Sequence, residues 1–286
     1  MSSPTGPSPV APTTAPELRA RKRRDGAAPI AMVTAYDTPG AQIVAAAGVD
    51  VILVGDSVGN NVLGYPDTLQ VTMDDMVRHV AAVARARPPQ LVVGDLPWMS
   101  YHRGTDEAVG NAAALVRAGA GAVKLEGGAR RGRAIEALVG AEIPVMGHLG
   151  LTPQSVLAMG GFRVQARSID AVRALVDDAL AVEAAGCFAV VIEGVPEAVG
   201  EEVTAALSIP TIGIGAGPHC DGQVLVFHDL LGLGKDTPPK FVRQYAEVGR
   251  IATEAIAAFA DDVRSGNFPG EAETYHGPAG LGDALL

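Results

Sequence analysis

Aromatic residues are scarce in this chain, 4% against 48% hydrophobic residues overall. The core expected from that balance is Val, Ile, Leu and Ala, which suits buried parallel strands covered by small-residue helices. Cysteine is nearly missing. Cys187 and Cys220 stand in unrelated contexts without CxxC spacing, so no disulfide framework is indicated and reduced thiols in a cytoplasmic protein are expected. No apolar run approaches the ~20 residues of a membrane span, and no signal-peptide core follows the amino terminus. Positive charge is not in excess either. The net charge of −10 argues against a general nucleic-acid surface. It suits a site that holds a divalent cation, although most of those charges belong on solvated helix faces.

What is present is a rhythm. Strand-like runs follow one another at Ile30–Tyr36, Asp50–Gly55, Gln90–Gly94, Ala120–Leu125, Glu142–Gly147, Cys187–Ile192, Pro210–Ile214 and Gln223–Phe227. Helix-like stretches separate most of them, the pattern of a (β/α)8 barrel. All but the seventh run end on, or just before, an ionisable side chain: Asp37, Asp56, Asp95, Glu126, His148, Glu193 and the pair His228/Asp229. The active site of such a barrel gathers at the carboxyl ends of its strands, so carboxylates collected there point to a metal-dependent enzyme. Barrels of about 250 residues are routinely single domains. The expected organisation is a single (β/α)8 TIM barrel over residues 18–265. A disordered Pro/Ser/Thr/Ala-rich extension precedes it at 1–17, and a Gly- and Pro-rich arm or tail follows at 266–286.

Arg19, Arg21, Lys22, Arg23 and Arg24 form a basic cluster, read as a charged entry helix below the barrel in preference to a targeting or anion-docking segment. Thr72-Met73-Asp74-Asp75 and Thr105-Asp106-Glu107 open helices with acid in the first turn, as the helix dipole prefers. Gly119 closes the second of these. Leu149–Arg167 is long for a strand-to-helix connection. Its pair Gly160-Gly161 beside the strand ends suggests a lid rather than an ordinary surface excursion.

Val-Gly-Asp56-Ser57 and Val-Gly-Asp95-Leu-Pro97 share one grammar, an apolar strand followed by Gly and Asp. Glycine leaves room beside each carboxylate. Two such aspartates on neighbouring strands offer hard oxygen ligands to Mg2+, which keeps positions for water or substrate oxygens. The competing role is a helix cap for each Asp. Lys124 and Glu126, two residues apart in a strand, share a face. Lys124 in a barrel mouth suits an anion such as a substrate carboxylate, the alternative being a structural Lys–Glu pair. A Schiff-base lysine is also open, but nearby metal ligands make electrostatic binding the simpler role. Glu193, a lone carboxylate after an apolar run, is a candidate general base or acid, its alternative being a partner for an arginine. His148 is read as a hydrogen-bond donor to substrate, with metal ligand and core histidine as alternatives. The glycines of Ile212-Gly-Ile-Gly215-Ala-Gly217 suit either a phosphate or close packing.

These strings occur in a telling order: Val-Thr-Ala-Tyr-Asp37, Leu-Val-Gly-Asp56-Ser57, Gly-Asp95-Leu-Pro, Val-Lys124-Leu-Glu126-Gly-Gly, Gly-His148-Leu-Gly-Leu-Thr-Pro-Gln-Ser155, Gly-Gly-Phe-Arg-Val-Gln165, Ile-Glu193-Gly-Val-Pro196 and Ile-Gly-Ile-Gly-Ala-Gly217. Together they resemble the ketopantoate hydroxymethyltransferase family, from roughly Leu18 to His276. The resemblance implies a (β/α)8 enzyme of pantothenate biosynthesis. Such an enzyme moves a one-carbon unit from 5,10-methylenetetrahydrofolate, its co-substrate, to 3-methyl-2-oxobutanoate through a Mg-stabilised enolate, giving 2-dehydropantoate. It further implies that Asp56 and Asp95 hold Mg2+, with Glu126 joining directly or through water. Ser57 and Lys124 would grip the substrate carboxylate beside Asp56 and Asp95, and Glu193 would accept the proton. A decameric homo-oligomer is implied as well. The chain departs from some relatives at Gly194, where they carry Cys.

Two rival readings compete. A Mg-dependent 2-oxo acid enolate enzyme of the phosphoenolpyruvate mutase/isocitrate lyase type would use the same barrel, but no loop cysteine motif of the isocitrate lyase kind is present, and folate dependence separates the two. A non-catalytic barrel kept for assembly would show decay of the strand-end set, and every member is there.

Overall fold

The computed structural model describes residues 13–22, 28–234 and 238–277. Eight parallel strands, β1 (Ile30–Thr34), β2 (Val51–Val54), β3 (Leu91–Asp95), β4 (Ala122–Glu126), β5 (Val145–Gly150), β6 (Ala189–Glu193), β7 (Thr211–Ile214) and β8 (Gly222–Leu225), close into a barrel in chain order. The expected (β/α)8 fold is therefore present. Val51–Val54 and Leu91–Asp95 are buried at every position, as strands covered on both faces must be. Alternation sorts their side chains into two layers. Met32, Val51, Leu53, Val93, Met146 and Val191 fill the lumen, while Ile52, Val54, Val92 and Val123 pack outward against the helices.

Several limits differ from the sequence reading. Glu142 is not strand but a turn residue with φ of 62°, so β5 starts at Val145 and runs on through His148. Phe227 opens a short helix, Phe227–Leu231, instead of ending β8. Thr72 and Asp75 form a reciprocal capping box on the helix Met73–Arg85. Gly119 ends the helix Thr105–Ala118 in the left-handed region, φ 113°, and a Cβ there would lie 2.4 Å from Ala84 Cβ.

The amino-terminal extension is only partly described, since residues 1–12 lie outside the described residues. Residues 13–17, expected to be tail, contain structure. Thr14 and Glu17 form a capping box on the helix Ala15–Arg19, and Ala15 and Leu18 join the lumen cluster as a plug. Burying Leu18 fully contributes about 2 kcal/mol of transfer free energy. The signal was Thr-x-x-Glu with Pro16 in the first turn, hidden inside a composition typical of disorder. Of the basic cluster, Arg23 and Arg24 lie outside the described residues, Arg21 pairs with Asp50, and Lys22 pairs with Asp221.

By its contacts the chain divides into two compact units: the barrel to Phe227 with Pro238–Val242, and a second made of His228–Thr237 and the residues from Arg243 onward. The helix Val248–Ser265, assigned to the barrel on sequence pattern, falls in the second unit, and none of its residues is buried. Of the arm or tail expected at 266–286, residues 278–286 lie outside the described residues. No helix among the described residues is long and apolar enough to cross a membrane. Cys187 and Cys220 are free and buried, and burial pushes the Cys187 thiol up to about 12.

Candidate active site at the strand carboxyl ends

Register sets the site. In the parallel ladder Asp95 lies beside Lys124, Glu126 beside His148, and Glu193 beside Gly150. In the first two of these, neighbouring strands deliver a carboxylate and a basic group to one rung. Asp56 follows β2 after Gly55, where a Cβ would sit 2.8 Å from Ser57 Oγ and 3.4 Å from Asp95 Oδ2. Only glycine leaves that room.

The side chains form a continuous row. Asp56 N–H donates to Asp95 Oδ2 at 3.0 Å, and Asp95 Oδ1 pairs with Lys124 Nζ at 2.9 Å. Lys124 Nζ meets His148 Nδ1 at 3.3 Å. His148 Nδ1 is 3.4 Å from Glu126 Oε1, and its Nε2 is 3.1 Å from Glu193 Oε2. Ser57 Oγ shares a hydrogen bond with Tyr36 Oη at 2.8 Å. Of the charged members, Glu193 is the accessible one, with 15% of its side chain exposed against 4% for His148.

Charge is unevenly compensated along this row. Burial raises Asp56 well above the usual carboxylate range, and the charges of Asp95 and Glu126 push it further. Burial also raises Asp95, tempered by Lys124. Burial and Lys124 both oppose an imidazolium at His148, yet the contacts with Glu126 and Glu193 outweigh them and bring it to about 9. Burial opposes the ammonium of Lys124, and Asp95, Glu126 and Asp56 overcome it, so it stays charged. Asp95 Oδ1 and Glu126 Oε1 are buried with ionic contacts but no aligned hydrogen bond. Such acceptors with a surplus of negative charge suit a hard cation. Among the described residues no three His, Cys, Asp or Glu side chains converge tightly enough to ligate one ion. The donor set on offer is the pair Asp56 and Asp95, enough for an ion that keeps water and substrate ligands. The oxygens of Glu126 face His148 and the Gln154 N–H, and those of Asp95 face Lys124 and the Asp56 N–H.

Both ring nitrogens of His148 face protein groups, so donating to a bound ligand requires Nε2 to exchange Glu193 for it. Asp37 caps the helix Thr38–Ala46 through Gly40 N–H at 2.7 Å. The pair His228/Asp229 belongs to the second unit. The glycine run after β7 is explained by packing: a Cβ on Gly215 would be 2.8 Å from the Phe241 ring, and one on Gly217 would be 2.7 Å from Glu197 Cγ.

Two residues at the site were missed in the sequence. Gln154 contacts Asp56, Leu96, Glu126 and Tyr101. The Tyr101 hydroxyl lies between Gln154 and the Glu126 backbone. Pro153 fixes the turn that carries Gln154 and was the available signal. Nothing in the sequence marked Tyr101. The rest of the Leu149–Arg167 segment contains a short helix, Val156–Met159, then Gly160 and Gly161 at φ 68° and 115°. Leu157, Phe162 and Val164 are exposed on it, and Gln165 N–H binds Gly194 O at 2.8 Å.

A family model described as ketopantoate hydroxymethyltransferase matches residues 12–271. The chain belongs to the ketopantoate hydroxymethyltransferase family. It is 56% identical over 244 residues to the 3-methyl-2-oxobutanoate hydroxymethyltransferase of Pyrobaculum aerophilum, covering 85% of this chain and 93% of that one. It is 55% identical over 256 residues to the protein of the same name from Methylobacterium sp. (strain 4-46), covering 90% and 89%. Among solved structures it resembles 2,3-dimethylmalate lyase, a PEP mutase/isocitrate lyase superfamily member, with TM-score 0.58 at 18% identity, covering 96% and 97%. That last likeness shows the fold alone. Membership of the ketopantoate hydroxymethyltransferase family makes the protein an enzyme of the transferase class. The strand-end row described above is the candidate place for its chemistry.

Proposed function

We propose that the protein transfers a hydroxymethyl group from 5,10-methylenetetrahydrofolate to 3-methyl-2-oxobutanoate, giving 2-dehydropantoate in pantothenate biosynthesis. The row Asp56–Asp95–Lys124–His148–Glu193 carries this reading, because it sets carboxylates for a cation, an ammonium for an anion and an accessible base side by side.

Asp56 and Asp95 would hold Mg2+, with Glu126 joining directly or through water. Bound there, Mg2+ supplies Lewis-acid polarisation of the 2-oxo acid. Lys124 and Ser57 bind the substrate carboxylate, Lys124 from its place beside Asp95 and Ser57 from the hydroxyl fixed by Tyr36. His148 borders the bound acid and steadies Glu193. Glu193 removes the proton at carbon three, and the enolate attacks the methylene carbon of the folate. Both bonds from that carbon to folate nitrogens break: water supplies the hydroxyl of the product, and its other proton, together with the one Glu193 took up, leaves on the nitrogens of tetrahydrofolate. The segment Leu149–Arg167 acts as a lid that limits water around the reactive one-carbon group. The enzyme works in the cytoplasm as a homo-oligomer of the decameric kind. The exposed apolar side chains Ile251, Ile256, Phe259 and Val263 support an oligomer.

A phosphoenolpyruvate mutase/isocitrate lyase type of enolate chemistry is the second reading, favoured only by the shared barrel. The test follows 3-methyl-2-oxobutanoate by proton NMR with and without 5,10-methylenetetrahydrofolate and Mg2+. Hydroxymethyl product that requires both supports the proposal. Conversion without folate moves the assignment to the second reading, and no conversion by folded protein rejects the substrate.

A further inference from the structure

We infer that Gln154 is a positioning residue for the cation-binding carboxylates, with Tyr101 setting the direction of its amide; the inference rests on the proposed role of Asp56 and Asp95. Gln154 is 6% exposed, and its polar atoms are matched one by one. Its Nε2 donates to Asp56 Oδ2 at 2.8 Å and to Leu96 O at 3.0 Å. Its backbone N–H donates to Glu126 Oε2 at 2.9 Å.

The amide cannot be turned over. Leu96 O only accepts, so the NH2 group must face it and Asp56. On the other side Tyr101 Oη accepts Glu126 N–H at 3.1 Å and gives its proton to Gln154 Oε1 at 2.7 Å. The Arg131 guanidinium, 5.6 Å from the Tyr101 ring centroid, stacks on that ring.

One side chain thus reaches the segment after β2 through Asp56 and the segment after β3 through Leu96, while its own N–H reaches β4. Asp56 Oδ2 is engaged by an uncharged donor, which fixes the plane of the carboxylate that a cation would meet. Groups that orient ligands in this way typically change metal affinity by about 10- to 100-fold when removed.

The test is Mn2+ binding to the full-length protein, read from the free-ion electron paramagnetic resonance signal without substrates. The proteins compared are wild type, Gln154→Leu and Tyr101→Phe. The expected result is an affinity about tenfold weaker in Gln154→Leu, with a smaller loss in Tyr101→Phe. The Mg2+ concentration for half-maximal rate should rise in parallel. A purely structural residue would lower melting temperature and kcat but leave the Mn2+ titration unmoved. Unchanged Mn2+ affinity in the variants, beside a wild type that binds, overturns the inference and leaves the proposed function standing. A wild type that binds no Mn2+ removes the carboxylate-pair reading and this inference together. If Gln154→Leu does not fold, Tyr101→Phe decides.

Discussion

Below the barrel Lys22 reaches Asp221 Oδ2 at 2.9 Å and the Thr204 carbonyl at 2.6 Å. At the opposite end Lys124 reaches Asp95 at 2.9 Å and His148 at 3.3 Å. Each end buries an ammonium against an aspartate, yet the surroundings differ. Asp221 Oδ2 also accepts Thr211 N–H at 2.8 Å and Thr211 Oγ1–H at 3.1 Å, and this pair ties the chain entry to β7 and β8. At the mouth, Asp95 Oδ1, Glu126 Oε1 and His148 Nε2 remain without aligned hydrogen bonds, and several carboxylates share few cations. A satisfied buried pair serves the fold. An incompletely satisfied one is held in place by the fold and suits a ligand.

Breaking the mouth at Glu193, its proposed base, has the largest expected effect. Glu193→Gln should lower kcat on the order of a thousandfold and leave 2-oxo acid binding, read by calorimetry, near wild type. Wild-type turnover in that variant would remove Glu193 from the role of base. Next comes a pair of variants with opposite signatures. Asp221→Asn leaves Lys22 buried without its counter-charge and should cost about 3 kcal/mol of stability, with kcat intact well below the melting temperature. Asp56→Asn removes one of the crowded buried charges, so the metal-free protein should melt higher while activity is lost. Equal destabilisation by both would erase the distinction between the two ends.

The smallest effect sharpens the mouth's rim. Burial and the nearby Arg131 charge hold His102 down at about 4, so the folded state resists its protonation. Below pH 6.5 the unfolded chain takes up that proton and the folded one does not. Stability therefore falls as pH drops from 6.5 towards 4 and levels below that. His102→Gln should show a shallower fall over this window in denaturant titrations. An identical slope would place the acid sensitivity elsewhere.

The strand ends were legible because their signals are local. An apolar run followed by Gly-Asp reads as a strand leading to a carboxylate whatever lies elsewhere in the chain, which marked Asp56 and Asp95, and place at or near the end of an apolar run marked Lys124, Glu126, His148 and Glu193. At Asp37 the strand-end carboxylate caps a helix, and of the two roles open for the glycines after β7 the structure shows close packing against Phe241 and Glu197. Spacing alone cannot separate a capping aspartate from a ligating one. The plug helix at Ala15–Arg19 carried a capping signal that tail-like composition masked.

Sequence by itself determined the barrel, its strand order and the ionisable residues at every strand end but the seventh, because alternation and the βα rhythm are written within a few residues of one another. Only tertiary structure decided which partners those charges meet. Asp95 stands beside Lys124, and Glu126 beside His148, through register between strands. Gln154 finds Asp56 across 98 residues because closure of the barrel brings strand ends together, and no local pattern encodes that meeting.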